Sequence, residues 1–186
     1  MFGLKEAEVS TLVRAIAGDD LDRDGIRDRF ARATWTGIAE PGDRIAGLLV
    51  GSLGAATALD AIVDRLDVPA IRAALDAAGT AEGTDEELAL ALERWHPRLT
   101  SATALLALRQ AARFGARLIT SQSGLWPGGL DDLGLHAPPA LWLRGTDAAM
   151  AALGASIALV GARAATGYGE HVTMEASAGL VDRGYA

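Results

Sequence analysis

The sequence predicts an α/β protein in two parts, a small helical bundle over residues 1–116 followed by an incomplete parallel-sheet domain over residues 117–186. Three observations lead there. From Leu4 to about Ala116 apolar residues recur at three-to-four spacing, with turns marked by Gly or Pro. After Gly115-Ala116 the period changes to short β-prone runs. Ser156-Ile157-Ala158-Leu159-Val160 is continuously apolar, runs into Gly161 and is followed by a second helical pattern.

Within the first part, Pro41-Gly42-Asp43 starts one helix, and Gly54, Asp67 with Pro69, Gly79, Gly83-Thr84 and Pro97 punctuate the rest into short helices of about two to four turns each. Leu49-Val50-Gly51-Ser52-Leu53-Gly54 before an Ala-rich helix has the look of a helix-hairpin-helix, whose turn glycines let backbone N–H groups approach a phosphate. The same two glycines equally suit a turn or close helix packing. Arg109, Arg113 and Arg117 fall four apart and would share one face of a continuous helix, as a DNA contact or as a solvated face.

In the second part, Arg117-Leu118-Ile119-Thr120 reads as a strand, Ser121-Gln122-Ser123-Gly124 as a polar turn, and Trp126-Pro127 as a helix stop. Ala140 to Gly145 reads as a buried strand closing in a turn. Asp147 to Leu153 reads as one or two helical turns capped by Thr146 or Asp147. Ser156–Val160 is the clearest strand, expected to be central and covered on both faces. The helix after Thr166 shows Val172, Ala176, Leu180 and Val181 on one side and ends at Gly184. Strand, glycine loop and helix make the first half of a βαβ unit.

Half of the 186 residues are apolar and 22% are charged, the balance of a globular protein with a packed core. The formal charge of -7 gives no general attraction to phosphate, so a nucleic-acid site must be a local patch of arginines. The absence of cysteine removes disulfides, thiol catalysis and thiolate zinc sites. The start, Met1-Phe2-Gly3-Leu4-Lys5-Glu6, places an acidic residue where a secretory signal needs an apolar run, and no apolar stretch reaches the roughly 18 to 20 residues of a membrane span. A cytoplasmic location without membrane contact is therefore expected.

The segment with chemical promise is Val160-Gly161-Ala162-Arg163-Ala164-Ala165-Thr166-Gly167-Tyr168-Gly169. In open α/β sheets ligands sit beyond the carboxyl ends of the strands, where the next helix offers unpaired N–H groups and its positive end to an anion. The loop lacks the dinucleotide spacing and any Gly-Lys-Ser/Thr, so neither a nicotinamide cofactor nor a nucleoside triphosphate is expected. Arg163 beside a strand-end glycine suits bidentate phosphate binding; a tight turn with Arg163 in a surface ion pair is the other reading. Asp131-Asp132 reads as helix capping or solvation rather than a catalytic pair, and His136 and His171 form no metal-ligand pattern. No cofactor, metal or nucleophile is expected.

Three blocks in this order resemble the DprA/Smf DNA-processing family: Trp126-Pro127-Gly128-Gly129-Leu130, then Pro138-Pro139-Ala140-Leu141-Trp142-Leu143-Arg144-Gly145, then Ile157 to Arg163 followed by Ala165-Thr166-Gly167-Tyr168-Gly169. The resemblance implies a Rossmann-like second domain and a sterile-alpha-motif-like or helix-hairpin-helix first domain. It also implies a cytoplasmic, non-catalytic protein that binds single-stranded DNA and helps load RecA recombinase during DNA uptake or recombination, with homodimerisation in the full-length family. The phosphate-contacting loop would map to Gly161, Ala162 and Arg163, with Thr166, Tyr168 and Gly169 shaping the turn into the helix. Ala162 stands where many relatives have Ser, which removes a hydroxyl donor and leaves the backbone N–H. Family members continue with a further strand, a Ser-Gly-rich loop and a Gly-x-Asp block, so a C-terminally truncated chain is expected. Two alternatives stand beside a DNA-binding mediator. One is a protein-interaction module formed by the helical domain alone. The other is a nucleotide-directed enzyme of related Rossmann-like fold, for which the Pro-Gly-Gly-x-Gly-Thr loop is missing.

Overall fold

The computed structural model describes residues 3–18 and 20–185. Met1, Phe2, Asp19 and Ala186 lie outside the described residues, and with them part of the reading of the N-terminal start and the final residue. By packing, the chain divides into two units, Met1–Arg144 and Gly145–Ala186. This is a different division from the one after residue 116 that the change of period suggests.

The first unit holds seven described helices: α1 (Glu6–Ala17), α2 (Arg23–Ile38), α3 (Arg44–Leu53), α4 (Ala55–Val63), α5 (Val68–Ala77), α6 (Asp85–Trp95) and α7 (Ser101–Arg113). Their starts are written in local chemistry. Asp22 accepts from the Gly25 N–H, Asp43 from Ile45 and Ala46, Asp67 from Ala70 and Thr100 from Thr103. Thr84 and Glu87 form a reciprocal capping box. Each such cap is worth about 1 kcal/mol against Ala. α3 and α4 meet at the single residue Gly54, whose φ of 81° is open to glycine and strained for other residues, and the chain turns there by 114°. Gly51, the other glycine of the expected hairpin, lies inside α3.

The helices converge on one apolar core. Val9, Val13 and Ile16 of α1 come from one face at helical spacing and meet Phe30, Trp35 and Ile38 of α2, Leu48 and Leu49 of α3, Leu59 and Ile62 of α4, Leu88 and Trp95 of α6 and Leu108 of α7. Each side chain of this size contributes roughly 1.5 to 3 kcal/mol by leaving water. Trp35 and Trp95 meet edge to face with ring centroids 5.1 Å apart, and the Trp35 Nε1–H donates to the Ala55 carbonyl at 3.1 Å. Among the described residues no single helix is long and apolar enough to cross a membrane. α3 and α4 are sufficiently apolar only as a bent pair, and that apolar surface is spent in the core.

The rest of the first unit corrects the expected parallel sheet. β1 (Arg117–Ile119) and β2 (Leu141–Leu143) pair antiparallel, with Leu118 opposite Trp142. The residues between them form no crossover helix over a sheet; they fold as a turn and the 3-10 segment Gly128–His136, so the chain returns along its own path. This ribbon is fixed to the bundle. Arg32 donates to the Pro139 carbonyl at 2.9 Å, Arg29 to Gln122 at 3.2 Å, and the Trp142 indole N–H to the Thr36 hydroxyl at 3.0 Å. Leu118 and Ile119 are buried, whereas β2, expected to be buried, is only half covered.

The second unit comprises α8 (Asp147–Ala151), a 3-10 turn (Ala152–Ala155), an extended stretch and α9 (Gly167–Val181). α8 starts on Thr146, which accepts from the Ala149 N–H, as the sequence reading allows. Ser156–Val160, the clearest strand in the sequence reading, is not a strand. A strand needs a neighbour to complete its ladder of N–H and C=O groups, and no described segment pairs with it. Val160 is 94% exposed as a result. The apolar side of α9 is likewise open at Val172 and Val181 and only partly covered at Ala176 and Leu180.

Candidate nucleic-acid interface

The six residues expected to meet phosphate lie in one exposed stretch ahead of α9 and in its first turn. Gly161 and Ala162 continue the irregular chain, Arg163 begins a bend with Ala164, and Thr166 is the N-cap of α9, its hydroxyl accepting from the Gly169 N–H at 3.2 Å. The Glu170 N–H donates to the Thr166 carbonyl at 3.0 Å. Within the first turn this leaves the N–H groups of Gly167 and Tyr168 without a partner among the described residues, at the end of the helix that carries partial positive charge. Tyr168 is 77% exposed. Arg163 forms no ion pair with a described residue, so the reading of it as half of a surface salt bridge does not hold in this structure. A Cβ added at Gly161 would meet nothing within 4 Å, so no packing inside the protein calls for glycine there. The bend is reached from extended chain and not from the end of a central strand.

The other arginine hypothesis divides. α7 ends at Arg113, so Arg117 is not on its face but opens β1. Arg109 is engaged by Glu8 of α1. Arg113 lies over the Phe114 ring, with its guanidinium carbon 5.6 Å from the centroid. The proposed hairpin at Gly51 and Gly54 offers little to a phosphate, because the Gly54 N–H is already donated to the Val50 carbonyl.

The remaining candidates have structural partners. Asp131 accepts from the Trp126 indole N–H at 2.9 Å, His136 hydrogen-bonds the Gly42 carbonyl through Nδ1 at 2.8 Å, and His171 faces Glu175 one turn on in α9. Among the described residues no group of three or more His, Asp or Glu is placed to hold a metal ion.

Sequence reading missed two features. Whole-chain charge conceals that the stretch from Arg94 to Leu130 carries Arg94, Arg98, Arg109, Arg113 and Arg117 and neither Asp nor Glu. Counting by segment finds it. The second is Gly47 in the middle of α3, which carries no turn signal and matters only because the carbonyl of distant Leu135 lies against it.

Residues 117–186 match the family model of DNA recombination-mediator protein A. The resemblance carried by the three sequence blocks is thereby borne out for that segment. No curated protein and no solved structure matches.

Proposed function

We propose that this chain acts as a non-catalytic recombination mediator of the DprA type. In this reading it binds single-stranded DNA in the cytoplasm through the stretch at Gly161, Ala162 and Arg163 and the α9 start at Thr166, Tyr168 and Gly169, and hands that DNA to RecA recombinase. The observation that carries the reading is the family match over residues 117–186, which encloses Arg163, exposed and without an ion-pair partner among the described residues. The space beside Gly161 is open, which leaves the backbone accessible to a phosphate; the N–H groups of Gly167 and Tyr168 would add to the same attraction.

Titration of labelled oligothymidylate with the whole chain at two salt concentrations tests this. Phosphate binding weakens steeply with salt, and Arg163→Ala is expected to lower both the affinity and the salt slope, the latter by about one. Unchanged low-salt affinity in that variant overturns the assignment. Oligothymidylate and mixed-sequence strands should bind alike, because the stretch addresses the backbone; discrimination of tenfold, about 1.4 kcal/mol, would indicate base readout instead.

A further inference from the structure

The exposed side of α7 differs from the rest of a strongly acidic protein. The stretch from Arg94 to Leu130 has five arginines and no carboxylate of its own, and three of those arginines are held by acids from elsewhere: Arg94 by Asp43, Arg98 by Glu40 and Arg109 by Glu8. Arg117 sits half-buried at the start of β1. Among the described residues Arg113 is exposed with no carboxylate partner; it lies over the ring of Phe114, which is itself 55% exposed.

That arrangement is unlike a core aromatic and unlike a solvated charge. A guanidinium over a phenyl ring holds the ring in place by the attraction between cation and π face. The ring's remaining surface is open, and Gln110 and Leu106, one and two turns back, continue an exposed face without acid. Three carbonyls of the last turn of α7 are hydrogen-bonded within the chain: Gln110 accepts from the Phe114 N–H, Ala111 from Ala116 and Ala112 from Gly115.

We propose that Arg113 and Phe114 form a stacking site for an unpaired base of single-stranded DNA, a second point of contact on the helical unit. The proposal rests on the reading of the chain as a single-strand binder. A base laid on the open part of the Phe114 ring extends the stack that Arg113 begins, and the guanidinium stands close enough to the strand to neutralise a phosphate. Stacking of this kind is indifferent to base identity, which matches a mediator that takes any sequence.

The test is anisotropy of labelled oligothymidylate with the whole chain and the variants Phe114→Ala, Phe114→Trp and Arg113→Ala, alongside sedimentation of each. Phe114→Ala should weaken binding roughly fivefold or more with an unchanged salt slope, because stacking releases no counterions. Phe114→Trp should keep the affinity, which separates loss of a stacking face from loss of fold. Arg113→Ala should weaken binding and lower the slope by about one. If the wild-type chain binds and Phe114→Ala binds equally well, the stacking site is wrong and the mediator reading stands. If Phe114→Ala changes only the oligomeric state, the face is a protein contact and the proposal is overturned. If the wild-type chain does not bind oligothymidylate, both readings fall.

Discussion

Gly47 of α3 lies so close to Leu135 that a Cβ at position 47 would stand 1.9 Å from the Leu135 carbonyl oxygen. The obstructing atom is backbone, which cannot swing aside as a side-chain tip would. Gly47→Ala must therefore push the 3-10 segment Gly128–His136 off the bundle or bend α3. Ala is the better helix former by about 1 kcal/mol, so an isolated helix would gain from the change. In the whole protein the clash should win, with a net loss of roughly 1 to 3 kcal/mol. Chemical denaturation of the two proteins measures it, and a stabilised variant would show that the contact is not maintained in solution.

Asp43 joins a helix start to the aromatic core. Its carboxylate accepts from the Ile45 and Ala46 N–H groups at the start of α3, from the Trp95 indole N–H at 3.1 Å and from Arg94 at 3.1 Å, with a side chain only 5% exposed. Asp43→Ala removes the cap and leaves the indole N–H and helix amides without their acceptor, so a loss of about 2 kcal/mol or more is expected. Asp43→Asn keeps one acceptor oxygen and should lose less. Thermal melts followed by tryptophan emission would resolve the two, and equal melting temperatures would contradict the shared role.

Glu87 gives a pH signature. The hydrogen bond it accepts from the Thr84 backbone N–H holds the carboxyl below the usual range against the opposing effect of burial, with Arg44 adding to the lowering. A depressed carboxylate stabilises the fold above its unfolded pKa, near 4.5, and that contribution is lost as pH falls through the lower folded value. Glu87→Gln, which can still accept the hydrogen bond but cannot titrate, should narrow the difference in stability between pH 7 and pH 3. An unchanged difference would rule out Glu87 as one of the groups behind acid sensitivity.

Hydrogen exchange should separate the two apolar β-prone stretches. Amides within Arg117–Ile119 and Leu141–Leu143 belong to the ribbon on the bundle and are expected to be protected along with the helices. Those of Ile157 to Val160 have no ladder partner and should exchange at close to the unstructured rate. Equal protection in a dilute monomeric sample would mean that the stretch has found a covering strand.

The contrast shows what the sequence makes legible. Helix boundaries at Asp43, Gly54, Asp67, Thr84 and Pro97 are readable because caps and breakers act within four residues of where they stand. The start of α9 at Thr166 is readable for the same reason. Pairing is not local: nothing in Leu141-Trp142-Leu143 tells that its partner runs antiparallel, and the unbroken apolar run at 156–160 states a preference for burial without supplying the neighbour. The Arg163 bend was visible as residue type next to a glycine and a helix start. The Arg113 and Phe114 pair was hidden, because two adjacent letters do not show that the ring stays in solvent.

The bonds from Arg32 to Pro139 and from Arg29 to Gln122 bear on where the chain can be cut and rejoined. A graft is tolerated at a seam where few contacts cross, yet here Gln122 and Pro139 are both tied to α2. A chimera joining a foreign helical domain at residue 116 would replace the surface on which Leu118 and Ile119 rest, so a graft of the front domain should carry the sequence through Arg144 with it.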